Sequence, residues 1–301
     1  MQTQKITTQV INQSVNQNLQ QAVLQAEQNY KNQVQKVVDY VLQNKNIKFI
    51  FLAGPSGSGK TTTSHIFSQK LKEAGIKTMP LSLDDFFVNR EETPFWDDGE
   101  PNYETADAID WALFEICMKS LIAGEAVKLP TYNFTTGFKE FDKETILEKN
   151  TVFVVEGLHA LNPIVAKSMP ENVYVNVYIS TNTDIYNNNK MIIEHHKVRL
   201  FRRLIRDLYT RSTSLSENIA MWKKVRLGER LYISPFKDCA QFSINSFHSY
   251  EMGIYKNIFC NLKKQDDTLE ELCEILKDFE ELDKNIVPKD SVLQEFMPKI
   301  K

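Results

Sequence analysis

Apolar positions follow three regimes along the chain. In the first 45 residues, Ile11, Val15, Leu19, Ala22, Ala26, Tyr30, Val34, Val37 and Val41 recur at steps of three and four. That is the spacing of one face of an α-helix, and it predicts one amphipathic helix with a thin seam. From Ile47 the pattern changes. Ile47-Lys-Phe-Ile-Phe-Leu-Ala53 is nearly continuous and rich in β-formers, as in a strand buried on both faces of a parallel sheet. Further strands are expected at Thr78 to Leu83, Thr151 to Val155, Val173 to Ile179 and Gln241 to Ser246. Helices are expected over Lys60 to Ala74, Ala106 to Ala123 and Val198 to Tyr209. Strands alternating with helices predict an α/β fold, a parallel sheet covered by helices on both faces. Last, Leu269, Leu272, Leu276, Phe279 and Leu282 recur at helical spacing between Asp266 and Asn285, which predicts a packing helix.

Composition changes this picture in a few places. Asn and Gln supply 18 of the first 45 residues, yet no Gly or Pro occurs before Gly54. Helical spacing without breakers favours a helix leaning on the main domain over a disordered tract. Self-association through that helix, as a coiled coil and a homo-oligomer, is the alternative. Lys plus Arg is 36 and Asp plus Glu is 39, a formal charge of −3. A general nucleic-acid binder would carry a strong basic excess, so no nucleic-acid partner is expected. No apolar run approaches the roughly 18–20 residues that span a bilayer, and the N-terminus lacks an apolar signal core, so no membrane association is expected. The four cysteines form no close pair, which argues against a zinc site or a disulfide framework. The expected location is the cytoplasm.

Gly54-Pro-Ser-Gly-Ser-Gly59-Lys60-Thr61 fits G-x-x-x-x-G-K-[ST], after a strand and before a helix. Glycines let backbone N–H groups turn inward around phosphate oxygens, and the helix beginning there adds its positive end. Lys60 can reach terminal phosphates and the Thr61 hydroxyl can ligate Mg²⁺. The expected ATP-binding set is therefore Gly54, Ser56, Gly57, Ser58, Gly59, Lys60, Thr61 and Thr62. No Asn-Lys-x-Asp guanine reader and no Leu-Ser-Gly-Gly-Gln signature occurs. That disfavours a GTPase and a transporter ATPase, and leaves a small-molecule kinase.

Two acids follow apolar strands. Asp84, in Leu81-Ser-Leu-Asp84-Asp85-Phe86-Phe87, should lie beside the cradle, because ligands bind at the carboxyl ends of parallel strands. It could accept a proton from an attacking hydroxyl, contact Mg²⁺, or both. Glu156, in Val154-Val155-Glu156-Gly157-Leu158-His159, is a second candidate for the magnesium shell. His159 reads as structural, and His195-His196 as no metal site. Arg199, Arg202, Arg203 and Arg206 share one side of a helix. Guanidinium forks match phosphoryl oxygens, so this helix could close over the site as a lid.

In this order the motifs resemble the uridine kinase and phosphoribulokinase family of P-loop kinases. They are most similar to the uridine-kinase-like branch found fused behind threonyl-tRNA-synthetase-type N-terminal regions. The resemblance rests on Ala53 to Thr62, Ser82 to Arg90, Leu129-Pro-Thr-Tyr-Asn-Phe134, Val154 to Pro163, the arginine segment, Met221-Trp-Lys-Lys-Val-Arg-Leu-Gly-Glu229 and Val287 to Phe296. It implies three parts: an N-terminal extension over 1–46, a P-loop kinase domain over 47–262 with its lid at about 195–215, and a C-terminal helical extension over 263–301. It implies ATP-dependent phosphorylation of a nucleoside 5′-hydroxyl, uridine or cytidine, in pyrimidine salvage. Asp84 would be the proton acceptor, and Thr61, Asp84 and Glu156 would hold Mg²⁺. Glu104 and Arg203 match residues on the ribose hydroxyls. Arg206 and Arg211 match arginines on ATP phosphates. Phe87, Tyr132 and Phe134 match positions around the base.

The chain departs from the family pattern in three places. Gly137 stands near where uridine kinases carry a base-reading histidine. Glu104 replaces the usual Asp. Glu194-His195-His196-Lys197 replaces a Thr-rich, Asp-containing segment, and Ser212 a glycine. All bear on the acceptor and none on phosphoryl transfer. Two rival readings stay open: a kinase for another small alcohol, related to phosphoribulokinase or pantothenate kinase, and a non-catalytic ATP-binding regulatory module.

Overall fold

The computed structural model describes residues 2–146, 148, 150–167, 169–210, 213–263 and 269–298. It opens on strand β1 (Gln4–Thr7), helix α1 (Thr8–Gln17) and helix α2 (Leu19–Gln43). The one helix expected here is thus broken, at Asn18, whose side chain accepts the Gln21 N–H and caps the second helix. Amid so many Asn residues this cap carries no distinguishing signal.

Then follow β2 (Phe49–Ala53), α3 (Lys60–Glu73), β3 (Lys77–Ser82) and α4 (Trp111–Ala123). The expected helix start at Ala106 is a separate 3₁₀ turn, Ala106–Ala108, and α4 begins only after the Asp110 cap. A hairpin follows, β4 (Val127–Asn133) with β5 (Phe138–Thr145). Next come β6 (Thr151–Gly157), the single turn α5 (Pro163–Ala166), β7 (Tyr174–Ser180), β8 (Thr183–Asn187) and β9 (Lys190–Ile193). The chain continues through α6 (His195–Thr210), α7 (Leu215–Gly228), β10 (Phe242–Asn245), α8 (Glu251–Lys263) and α9 (Glu270–Leu276). The helix expected from Asp266 to Asn285 is confined to α9; residues 264–268 lie outside the described set. A 3₁₀ turn, Val292–Phe296, follows near the end.

Five strands form one all-parallel sheet in the order β10-β7-β2-β6-β3. The alternation of side chains along β2 divides the core in two. Ile50 and Leu52 face a cluster built with α1, α2, α3, α6 and α8. Phe49, Phe51 and Ala53 face a second cluster with α4 and the turn after β3. The sheet is therefore covered on both faces, as expected.

The N-terminal helices bury their apolar seam in the first cluster: Tyr30, Val34, Val37 and Val41 are at most 2% exposed. Polar contacts fix them further. The Tyr30 hydroxyl is 2.7 Å from that of Thr63 on α3. Gln33 accepts the Asn245 N–H and donates to the Asn245 carbonyl, which satisfies edge backbone that would otherwise invite pairing. β1 pairs in parallel with β8, beside antiparallel β9, in a small second sheet.

Candidate active site

The cradle between β2 and α3 needs two residues in left-handed backbone, Gly57 (φ 77°) and Gly59 (φ 91°), a region that side chains disfavour. Its carbonyls are held from behind. Arg199 donates to the Ser56 carbonyl at 3.0 Å, Arg202 to that of Gly57 at 3.3 Å, and the Ser246 hydroxyl to that of Ser58 at 2.7 Å. Three consecutive carbonyls are thus bound outside the loop, while the Ser58 N–H closes back on the Pro55 carbonyl at 3.2 Å.

Sheet register brings the acids to that cavity. Glu156 at the tip of β6 lies between Leu52 of β2 and Ser82 of β3. Asp84 follows two residues later, on a 3₁₀ turn where its own N–H bonds the Ser82 hydroxyl. The Thr61 hydroxyl donates to Glu156 at 3.3 Å. Burial, strengthened by Asp84 and Glu295 and opposed by Lys60, raises the Glu156 carboxyl to about 7. Asp85 acts elsewhere. It accepts the Tyr132 N–H at 3.2 Å and so ties the β3 turn to β4.

Ser56, Gly57, Gly59, Lys60, Thr61, Asp84 and Glu156 line one pocket of about 420 Å³. Phe87, Tyr103, Tyr132 and Phe134 form its aromatic wall, with Phe87 edge-on to the other three rings. Arg203, Arg206 and Glu104 line the same pocket. Burial lifts Glu104 to about 7, against the pull of Arg203 and Lys60. A Cβ on Gly228 would stand 2.3 Å from that of Glu104, so the glycine of the Met221–Glu229 motif is what admits the acid.

Three expected phosphate ligands do not line this pocket. Gly54 packs against the Ile179 carbonyl, Ser58 is fully buried, and Thr62 bonds Glu295. Arg211 lies outside the described residues. The four arginines expected on one side of α6 also divide. Arg203 donates to the Ser56 hydroxyl and pairs with Asp207, which also holds Arg206. Arg199 and Arg202 are fully buried on Glu229 and Glu251 and do not reach the pocket. A helical projection cannot tell a charge bound for solvent from one bound for a buried partner, because the partners are 30 and 49 residues away.

Four further residues were not foreseen at the pocket, Arg90, Tyr103, Leu158 and Glu295. Arg90 donates to the Phe134 carbonyl at 2.7 Å and lies over Gly137, where a Cβ would meet its guanidinium. His159 is buried, and burial lowers its pKa to about 4, which keeps it neutral. Glu194, His195 and His196 bring ligand atoms within 4.8 Å of one another. A cation there would face Arg226 and Arg199, both of which lower the His196 pKa beyond the effect of burial.

The sequence model of the phosphoribulokinase / uridine kinase family matches residues 49–252, more than half of the chain. The chain belongs to that family. Among its relatives, a uridine kinase of Staphylococcus haemolyticus is 30% identical over 69% of this chain and 92% of its own. A uridine kinase of Halobacterium salinarum is 26% identical over 55% of this chain and 65% of its own. A solved structure from Bacillus stearothermophilus, described as a possible uridine kinase, aligns with 71% of this chain and 98% of its own at 19% identity, with a TM-score of 0.46. Family membership places the chain among the kinases. It also accounts for a P-loop, strand-tip acids and an arginine helix occurring together.

Proposed function

We propose that this protein transfers the γ-phosphoryl group of ATP to the 5′-hydroxyl of a nucleoside, uridine or cytidine, as a cytoplasmic enzyme of pyrimidine salvage. What carries the reading is the meeting of Lys60, Asp84 and Glu156 in one pocket with the aromatic side chains of Phe87, Tyr132 and Phe134. ATP phosphates lie against the amides of Ser56 to Thr61. Asp84 takes the hydroxyl proton, and Lys60 and Arg206 stabilise the charge on the transferring group. Glu104 and Arg203 hold the ribose hydroxyls, and the aromatic faces suit a flat base. Arg211 remains assigned to the ATP phosphates.

The oxygen donors of Thr61 and Glu156, already in contact, with Asp84 in the same pocket, suit a hard divalent cation. Magnesium held there would neutralise phosphate charge. A carboxyl that burial leaves near pH 7 is one that a cation would help to ionise.

Asp84→Asn is expected to lower kcat by about 10²–10⁴-fold while ATP affinity changes little. Radiolabelled ATP with uridine and cytidine gives the readout. Equal turnover in the two proteins would remove Asp84 from its role, and ATP binding without product on either nucleoside would reject the acceptor.

Arg90 favours a second reading of the acceptor. It offers donors only, where the family pattern has a histidine that can also accept. An alcohol bearing carbonyl or anionic groups would suit it, and a panel of phosphorylatable alcohols separates the two.

A further inference from the structure

The C-terminal turn Val292–Phe296 has no part in the chemistry proposed above, yet it lies against the cradle. Val292, Leu293 and Phe296 are fully buried. Val292 Cγ2 sits 2.5 Å from where a Cβ on Gly59 would be. The Phe296 ring lies 5.0 Å from the Arg202 guanidinium, the same group that donates to the Gly57 carbonyl. From this fixed turn Glu295 reaches into the pocket. Its Oε2 accepts the Thr62 hydroxyl at 2.8 Å and the Thr62 N–H at 3.3 Å.

Thr62 is the third residue of α3, so its N–H is one of the first-turn donors with no partner inside the helix. Such donors, at the positive end of a helix that opens on a phosphate loop, are where a phosphate oxygen binds. Glu295 supplies a carboxylate instead.

We propose that Glu295 is a built-in competitor of the nucleotide: its carboxylate takes the anion position at Thr62, and a bound polyphosphate must displace it. The inference rests on the reading of the cradle as an ATP site. The backbone of the turn is locked in the core, so the side chain, which is only partly buried, is what swings away. The displaced carboxylate stays in a pocket that already holds Asp84, Glu104 and Glu156. The competition therefore weakens phosphate binding and raises the nucleotide concentration needed for occupancy.

Glu295→Gln keeps the shape and removes the charge. Calorimetric titration of the full chain with ATP, in EDTA so that no divalent cation contributes, is expected to show about 3–10-fold tighter binding in the variant. In a Thr62→Val background the gain should shrink, because the hydroxyl that holds Glu295 at 2.8 Å is gone and only the N–H contact remains. Equal or weaker binding by Glu295→Gln overturns the proposal. So does an undiminished gain with Thr62→Val, which would reduce the effect to long-range charge. If neither wild type nor variant binds ATP, the ATP reading of the cradle fails and takes this inference with it. Thermal melts of all four proteins verify that each is folded.

Discussion

At Glu104 the cost of burying a charge becomes a pH dependence. Its carboxyl is raised from 4.5 to about 7 by burial, with Arg203 and Lys60 offsetting only part of the cost. A raised carboxyl favours folding in its neutral form, so its contribution is complete below pH 4.5 and is lost as the pH rises through 7. Glu104→Gln is accordingly expected to match wild type near pH 4.5 and to exceed it by about 1–3 kcal/mol at pH 8, as read from urea unfolding at both pH values. The same variant should bind nucleosides more weakly, since the amide no longer accepts at both atoms. Residues such as Lys60, Thr61 and Asp84 were legible because each follows an apolar strand within a few positions. Glu295 was not, because the Thr62 it bonds is 233 residues away.

Helix α6 shows how an element serves the site from behind. Its Arg202 is fully buried on Glu251 and also holds the Gly57 and Ser246 carbonyls. Arg202→Met would leave Glu251 buried without its partner, at an expected cost of about 3–5 kcal/mol, measurable by chemical denaturation. The double change Arg202→Met with Glu251→Leu should recover part of that stability while ATP binding stays impaired, because the Gly57 carbonyl remains unheld. The strands of the main sheet were readable within about two residues, since buried parallel strands are continuous apolar runs. The β4–β5 hairpin was not: Lys128, Thr131, Lys139 and Glu140 interrupt its apolar positions, and exposed Phe134 and Phe138 follow no strict alternation. The break at Asn18 was hidden for a related reason, since a capping residue stands out only against a different background.

On the scale of the molecule, the Gln-rich N-terminal segment belongs to the main core. Deleting residues 1–43 would uncover the partners of Tyr30, Val34, Val37 and Val41 and the β10 edge that Gln33 covers. The shortened chain is expected to bind a hydrophobic dye and to lose its cooperative melt, whereas a merely appended helix would leave both unchanged. β1, at residues 4–7, finds its partner only at 183–187. At 5–20 residues per second, a ribosome needs on the order of ten to forty seconds to deliver that partner after β1 has been made. Throughout that interval α2 has α3 beside it but not β10, so part of its valine stripe stays exposed on the newborn chain, and the yield should respond to expression temperature more than the stability of the finished molecule would suggest.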